Sequence, residues 1–294
     1  MDRFSAENRK LWDELVVINA GSKLYDVAGF KAGRCTLDPI ELDEVGDVAG
    51  KTLLHLQCHF GQDSMSWARL GAKVTGVDFS EKAIDLARSL AGELGLDVRF
   101  ICSDVYALPA VLAGEFDIVF TSLGVLCWLR DLGEWARVVS RYLRPGGMFY
   151  LREAHPFVNV FDNSRAAKDL DVRYSYFHGP EPTRWESEGS YADPNAVVQH
   201  PSFEWTHSLG DIVNALLGAG LHLEFLHEFP YLSHDHFPFM EQGADGRWRI
   251  KGKPDTIPLM FSVKATKPEE NHRQWSDRMM STGRNCPADS RPDR

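Results

Sequence analysis

The sequence predicts an α/β protein built on a doubly wound β-sheet that is mostly parallel, with an antiparallel last strand. From Lys51 to Arg152, short apolar segments alternate with amphipathic segments of helical period, as in repeated strand–helix–strand units. The segment FDIVFTS is apolar almost throughout, which is typical of a parallel strand covered on both faces. The last two apolar segments are joined by a loop, so we expect them to pair antiparallel.

The individual elements follow from periodicity and from the residues that begin and end them. The predicted strands are 51–56, 73–79, 98–104, 116–122, 148–154, 222–229 and 258–267. The predicted helices are 62–71, 80–95, 132–147 and 208–221. Ser80 and Ser208 stand where an N-cap is needed, and Gly71 stands where a C-cap is needed. Pro145 and the glycines after it are expected to end the third helix.

The domain organisation is predicted from where the alternation of strands and helices begins and where it stops. Residues 1–50 read as an N-terminal helical lid, and residues 51–267 as the main Rossmann-like domain. Within it, residues 156–205 form an insertion rich in aromatic residues, proline and glycine. The polar segment 268–294 is expected to be a disordered tail.

Composition and charge exclude several classes of protein. The net charge is −10, from 32 basic and 42 acidic residues, which argues against a nucleic-acid partner because such partners select a basic face. The apolar runs are too short and too mixed to cross a bilayer, and the first residues lack a signal-peptide pattern, so we expect a cytoplasmic protein without a membrane partner. Five cysteines without a C-x-x-C pair predict no metal site.

The loop after the first strand is the first candidate for a binding site. In doubly wound sheets, ligands bind at the carboxyl ends of strands where the strand order reverses. The loop HLQCHFG, residues 55–61, has Gln57 and His59 where a pyrophosphate-binding loop needs glycine, and only Gly61 remains. On this pattern the loop is a failed dinucleotide site, an unrelated turn, or a loop built for a cofactor without phosphate.

Two carboxylates follow at the ends of the next strands. Asp78 in GVDFS lies at the distance expected for an acceptor of ribose 2′- and 3′-hydroxyls. Phe79 follows and could cover an adenine face. Asp104, after the third strand, could accept a hydrogen bond from an adenine amino group. Each Asp alone is more often a cap or turn residue, but the ordered set indicates a nucleoside cofactor.

Residues 53–155 resemble the class I S-adenosylmethionine-dependent methyltransferases. The resemblance is carried in order by LLHLQCHFGQD, VTGVDFS, FICSDVYALP, FDIVFTSLGVLCWL and YLRPGGMFYLRE. The first motif departs from the family's acid-x-Gly-x-Gly-x-Gly, because His55, Gln57 and His59 stand at three of its positions. The resemblance implies S-adenosylmethionine as cofactor and methyl transfer to an oxygen or nitrogen of a small organic metabolite.

The resemblance also implies a set of site residues. S-Adenosylmethionine carries no phosphate, so side chains in the first loop are tolerated, and Gln57 or His59 could hydrogen-bond its carboxylate. The alternative is that both side chains point away and only their backbone serves. The expected cofactor-binding residues are Gln57, His59, Gly61, Asp78, Phe79, Asp104, Val105 and Thr121.

Residues on the acceptor side are predicted more loosely. His155 after the fifth strand and Tyr25 in the N-terminal segment are candidate catalytic groups, and a structural cap before Pro156 is the alternative for His155. The aromatic insertion could be a wall of the acceptor site or the interface of a homodimer. The expected substrate wall is Trp12, Trp128, Tyr176, Phe177 and His236.

Two other functions fit parts of the sequence. A non-catalytic relative would retain Asp78 and Asp104 for cofactor binding without turnover. A nicotinamide-dependent oxidoreductase on a similar sheet is disfavoured. Gln57 and His59 occupy positions where a pyrophosphate has to approach backbone without side chains.

Overall fold

The computed structural model describes residues 1–186 and 189–269, so the part of the predicted tail from residue 270 lies outside it. Three helices come first: α1 (Arg3–Gly21), α2 (Val27–Lys31) and α3 (Pro39–Val45). Each is capped by an aspartate side chain, and the cap of α3 is a complete capping box between Asp38 and Glu41. No helix among the described residues is long and apolar enough to cross a bilayer.

The central part of the chain alternates strands and helices as predicted. Its elements are β1 (Thr52–Leu56), α4 (Gln62–Arg69), β2 (Lys73–Asp78), α5 (Glu81–Leu94), β3 (Val98–Cys102), β4 (Phe116–Thr121), α6 (Leu132–Tyr142) and β5 (Leu143–Ala154). One boundary differs from the prediction, because α6 ends and β5 begins ahead of Pro145. Proline disfavours helical geometry at the residue before it, so the helix stops before Pro145 and not after it.

The second half of the chain completes the sheet and adds two small hairpins. Its elements are β6 (Thr183–Trp185), β7 (Ser202–Glu204), α7 (Leu209–Gly218), β8 (His222–Phe229), β9 (Met240–Gln242), β10 (Trp248–Ile250) and β11 (Met260–Thr266). Strand β6 pairs antiparallel with β7, and β9 pairs antiparallel with β10. The β9–β10 hairpin lies in the loop that sequence patterns left without structure.

The main sheet has seven strands in the order β3-β2-β1-β4-β5-β11-β8. Strands β1 to β5 are parallel to one another, and β11 is antiparallel to both β5 and β8, which confirms the predicted doubly wound sheet with an antiparallel last strand. The strand order reverses between β1 and β4. Ligands of such sheets bind at the carboxyl ends of strands at this reversal, beside the loop that follows β1.

Both faces of the sheet are buried, as the apolar strands predicted. On one face, Leu54 and Leu56 of β1 join a cluster with residues of α6 and α7, including Trp135 and Leu216. On the other face, Leu53 joins a cluster with α3 and α4 that includes Trp67 of α4. This two-sided packing fixes β1 and β4, and thus fixes where their loops emerge.

Candidate functional site

The loop after β1 has the backbone of a glycine-rich loop, although two of its positions carry side chains. Gln57, His59 and Gly61 all lie in the left-handed region, with φ of 57°, 51° and 77°. Non-glycine residues adopt this conformation at a cost of about 1–2 kcal/mol each, and such residues cluster at functional sites. The sequence therefore departs from the glycine pattern, whereas the backbone follows it.

Gly61 is the loop position at which a side chain cannot be accommodated. A Cβ atom there would lie 2.5 Å from the ring of Phe100 on β3, and 3.3 Å from Ala87 of α5. The residue is also the N-cap of α4. Gly61 thus lets the loop pack directly against β3 and α5.

Asp78 connects the end of β2 to this loop. The side chain accepts a hydrogen bond from the backbone N–H of His59 at 2.8 Å and another from the N–H of Ser80 at 2.9 Å. Burial raises the pKa of Asp78 to about 6, against the opposing effect of these N–H donors. A carboxylate has about four acceptor positions, and these backbone donors do not fill all of them.

A cavity lies beside the end of β3, next to the predicted adenine position. Asp104 lines it and accepts the backbone N–H of Tyr106 at 2.8 Å. The cavity is lined by Met1, Asp2, Asp104, Tyr106, Ala107 and Arg130. Val105, by contrast, is buried in the hydrophobic core, and Phe79 is half-buried directly after β2.

Four buried polar atoms around the loop have no hydrogen-bond partner among the described residues. They are Trp12 Nε1, Gln57 Oε1, His59 Nδ1 and Thr121 Oγ1. Buried polar atoms are nearly always paired, so each unpaired atom requires an explanation. Donors and acceptors are both present, which fits a ligand that itself carries both kinds of group, such as S-adenosylmethionine.

Helix α1 and the segment after it cover the loop. The Trp12 ring meets the His59 ring edge-on at 5.2 Å and the Trp128 ring at 5.3 Å. The Tyr25 ring lies 5.5 Å from His59, and its hydroxyl contacts that of Tyr191 in the insertion. Burial raises the pKa of Tyr25 well above its ordinary value, so at neutral pH this hydroxyl is a hydrogen-bonding group and not a base.

Glu153, which sequence reasoning missed, holds the loop after β4. One carboxylate oxygen accepts the N–H groups of Gly124 (2.7 Å) and Ala154 (2.8 Å), and the other accepts those of Val125 (2.8 Å) and Leu126 (3.2 Å). The only sequence signal was the pair of charged residues, Arg152 and Glu153, that ends the apolar part of β5. This carboxylate fixes the stretch that carries Trp128.

His55 stands where the methyltransferase family has an acid, and it is wholly buried. Its Nδ1 lies 2.8 Å from the hydroxyl of Ser64, and its Nε2 lies 3.2 Å from that of Ser122. Burial lowers the pKa of His55 to about 3, so the ring is neutral. A neutral imidazole is one donor and one acceptor, and it connects α4 to the exit of β4.

His155 lies on the β8 side of the sheet, where its contacts are structural. Its Nδ1 accepts the backbone N–H of Phe157 at 3.1 Å, which caps a short 3₁₀ turn, and its Nε2 lies 3.0 Å from a carboxylate oxygen of Glu228 on β8. Burial lowers the pKa of His155, and the Glu228 carboxylate opposes this. The geometry favours the capping role over that of a base.

The five residues of the predicted substrate wall fall into separate groups. Trp12 and Trp128 contact each other beside the loop. Tyr176 accepts the N–H of Leu209 at the start of α7, and Phe177 next to it is exposed. His236 packs edge-on against Phe237 in the segment between β8 and β9. The structure thus brings Trp12 and Trp128 to the loop and shows no contact of the other three with it.

The central part of the chain is similar to known proteins. Residues 54–151 match the family model described as a methyltransferase domain. Over 102 residues the chain is 40% identical to the ubiquinone biosynthesis O-methyltransferase of Caulobacter vibrioides, covering 35% of this chain and 40% of that protein. Over 133 residues it is 33% identical to the protein of that name from Xanthomonas oryzae pv. oryzae, covering 44% and 55%. The chain spans about half the length of the curated relatives it matches.

Solved structures share the fold over a larger part of the chain. An S-adenosylmethionine-dependent methyltransferase from Mesorhizobium loti matches with a TM-score of 0.56 and 21% identity, over 80% of this chain and 99% of that one. Another, from Clostridium acetobutylicum, matches with a TM-score of 0.51 and 15% identity, over 90% and 98%. The fold and the domain match confirm the resemblance to class I methyltransferases, and residues 54–151 are a methyltransferase domain.

Proposed function

We propose that this chain, whose residues 54–151 form a methyltransferase domain, uses S-adenosylmethionine to methylate an oxygen or nitrogen of a small organic metabolite. The observation that carries the proposal is the loop after β1. It keeps the left-handed backbone at Gln57, His59 and Gly61, and Asp78 accepts the N–H of His59. Curated relatives over this domain are named O-methyltransferases, which supports oxygen as the acceptor atom.

The site residues have distinct parts in this reaction. Asp78 would accept the ribose hydroxyls, Asp104 would accept the adenine amino group, and the loop side chains would hold the amino acid end. S-Adenosylmethionine, when bound, supplies a methyl group on a sulfonium that is already activated for displacement. Trp12 and Trp128 would exclude water and position the acceptor, so placement supplies much of the rate.

The acceptor must lose a proton when it is a hydroxyl or an ammonium group. Tyr25 and His155 were the sequence candidates for this step. The Tyr25 hydroxyl is hydrogen-bonded to the hydroxyl of Tyr191, and His155 caps the turn at Phe157. We therefore propose that neither is the base, and that the proton of an acidic acceptor such as a phenol leaves to solvent.

The nicotinamide alternative is weaker in the presence of the loop side chains. The His59 ring packs against the rings of Trp12 and Tyr25, and it occupies a loop position where a dinucleotide pyrophosphate would need bare backbone. A non-catalytic relative remains the competing proposal, since the same loop could bind the cofactor without turnover.

The partners and location follow from charge and surface. With a net charge of −10, we propose a small-molecule acceptor and no nucleic-acid partner, in the cytoplasm. A homodimer through the insertion is proposed because that segment exposes Phe177 and Val172.

The experiment that tests the function is release of S-adenosylhomocysteine from S-adenosylmethionine with pooled phenols, acids, amines and amino sugars. Calorimetric titration of the cofactor is the internal control. Release that depends on one pool supports the proposal and names the acceptor class. Absence of cofactor binding would overturn it, whereas binding without release from any pool favours the non-catalytic relative.

A further inference from the structure

The segment that follows β7 is hydrogen-bonded to the loop after β4 on either side of Trp128. The backbone N–H of Trp205 donates to the carbonyl of Cys127 at 2.8 Å. The Nε2 atom of His207 lies 2.6 Å from the carbonyl of Leu129, and this nitrogen carries the proton because a carbonyl only accepts. Trp128 is the residue proposed to position the acceptor, so the loop after β4 and strand β7 together form what we call the acceptor wall.

Strand β7 is also fixed to helix α1, which determines which side chains face away from that helix. The backbone N–H of Phe203 donates to Asn8 Oδ1 at 2.8 Å, and Asn8 Nδ2 donates to the Phe203 carbonyl at 2.7 Å. The Phe203 ring packs against that of Phe4 at 5.2 Å. Side chains alternate along a strand, so Ser202 and Glu204 lie on the face away from Phe4. Their contact agrees with this placement, because the Ser202 hydroxyl donates to Glu204 at 2.8 Å.

Glu204 is a half-buried carboxylate with unfilled acceptor positions. In the part of the chain that the structure describes, its carboxylate accepts the Ser202 hydroxyl and forms no ion pair. Arg184 on the paired strand β6 forms its ion pair with Glu186 instead. Burial raises the pKa of Glu204, and the Ser202 hydroxyl opposes this. A carboxylate withdrawn from water is stabilised by a cation or by further donors, so a ligand that supplies them would bind here.

The charge around Glu204 favours a cation as that ligand group. Burial, and after it the carboxylates of Glu204 and Glu153, raise the pKa of the Cys127 thiol well above its ordinary value, so both acids act on this part of the acceptor wall. The Glu153 carboxylate accepts four backbone N–H groups, which occupy its acceptor positions. Glu204 is therefore the acid that can still bind a ligand, and a negative potential selects a positive partner.

A second unfilled polar group lies beside the acceptor wall. Trp12 Nε1 is buried and has no hydrogen-bond partner among the described residues. The Trp12 ring packs edge-on against Trp128 at 5.3 Å. An indole N–H only donates, so this side of the site offers one donor in addition to the free acceptor positions of Glu204. The combination fits an acceptor that carries both an oxygen and a cationic group.

From this arrangement we infer that Glu204 is a specificity-determining residue of the acceptor wall, and that the methyl acceptor carries a protonated amine which the Glu204 carboxylate binds. The inference rests on the proposed function, because β7 borders an acceptor only if methyl transfer takes place at this site. The amine need not be the methylated atom, since a hydroxyl elsewhere on the same molecule can take the methyl group. An acceptor with a carboxylate in place of the amine is excluded by repulsion between like charges.

The test compares three probes that share a phenyl ring and differ in the polar group of a short arm. They are phenethylamine, which is protonated at neutral pH, the neutral phenethyl alcohol, and phenylpropionate. Each probe is titrated by calorimetry into the full chain saturated with S-adenosylhomocysteine. Phenethylamine should bind about tenfold or more tightly than the alcohol, because its hydrogen bond joins two charged groups, and phenylpropionate should bind most weakly.

Variants of Glu204 assign the preference to this residue. Glu204→Gln keeps the shape of the side chain and removes its charge, so the ratio of the amine and alcohol affinities should fall to about one. The affinity for S-adenosylhomocysteine should not change. Glu186→Gln is the matched control, because Glu186 is an exposed acid directly after β6 in the same hairpin, and it should retain the full preference.

The outcomes separate this inference from the proposed function. Wild-type protein without a preference for phenethylamine, including protein that binds none of the three probes, would overturn the inference while binding of S-adenosylhomocysteine leaves the proposed function intact. A preference that survives in Glu204→Gln would overturn the role of Glu204. Failure to bind S-adenosylhomocysteine would overturn the proposed function itself. The wild-type comparison requires no variant, so it decides the matter even where Glu204→Gln does not fold.

Discussion

The Glu153 carboxylate accepts the backbone N–H of Val125 at 2.8 Å, on the loop between β4 and α6. The same carboxylate accepts three further backbone N–H groups, and Gln57 donates to the Val125 carbonyl. One buried acid at the end of β5 therefore sets the position of a loop and, through it, the orientation of a side chain in the cofactor loop.

Replacing Glu153 by glutamine should destabilise the protein. An amide has one acceptor oxygen, so one pair of N–H groups would face an NH₂ group, and each buried unpaired donor costs about 1–3 kcal/mol. We expect urea unfolding to show a loss of at least one such increment and calorimetry to show weaker cofactor binding. Glu241→Gln on the exposed surface of β9 is the control and should change neither. Unchanged unfolding of Glu153→Gln would contradict the role of the carboxylate.

Cofactor affinity should depend on pH through Asp78. Burial raises its pKa from 3.8 to about 6, and the ionised form is the one that accepts ribose hydroxyls. Affinity for S-adenosylhomocysteine should therefore fall as pH drops below about 6. Asp78→Asn should bind about tenfold more weakly near neutral pH and lack this pH dependence. Calorimetry from about pH 5 to about pH 8, on both sides of this pKa, distinguishes the two profiles.

The raised pKa of Asp78 affects the stability of the cofactor-free protein with the opposite dependence on pH. Folded protein binds the Asp78 proton more tightly than unfolded protein, so the contribution of Asp78 is fully present below pH 3.8 and is lost as pH rises through about 6. Asp78→Asn should flatten this part of the pH–stability curve. Identical curves for the variant and the wild type would show that the pKa is not raised.

His155 should matter for stability and not for rate. His155→Ala removes the acceptor for the N–H of Phe157 and should lower the free energy of unfolding by about 1 kcal/mol, while His155→Asn, a good capping residue, should retain most of it. Both variants should transfer methyl groups at the wild-type rate. Slow transfer with normal cofactor affinity in both would instead restore His155 as a base.

Two glycine substitutions should have opposite effects. Gly61→Ala places a Cβ atom 2.5 Å from Phe100 at a positive φ, so it should destabilise the fold by more than about 1 kcal/mol and weaken cofactor binding. Gly92 lies within α5 with open space around its Cα atom, so Gly92→Ala should stabilise by about 0.5–1 kcal/mol. Denaturant unfolding of both measures the contrast, and a tolerated Gly61→Ala would mean that Phe100 yields.

The sheet could be predicted from sequence because its signals are local. Apolar runs such as FDIVFTS and caps such as Ser80 lie within the elements that they define, and the structure confirms them. The hairpin of β9 and β10 could not be predicted, because strands of three residues are too short to show periodicity. The start of β5 was placed too late because the glycines after Pro145 were read as the end of the helix.

The site was only partly predictable for a related reason. Gln57, His59 and Gly61 follow the end of β1, and Asp78 ends the neighbouring strand β2, so the sequence pattern places them at the same edge of the sheet. The side-chain contacts of the loop come from distant parts of the chain. Asn19 contacts both His59 and Tyr191, and Tyr191 is 172 positions from Asn19 in the sequence. Sequence patterns contain no signal for such pairings, which depend on how α1 and the insertion pack.

Because of strand β11, the sheet can be completed only late in the synthesis of the chain. It is the last strand of the described chain, yet it is inserted between β5 and β8 and pairs with both. Until residues 260–266 have been synthesised and docked, β5 and β8 each present an unpaired edge, which is a template for association with other chains. A nascent chain arrested before Met260 should therefore be a client for chaperones, even though the whole cofactor loop has already emerged.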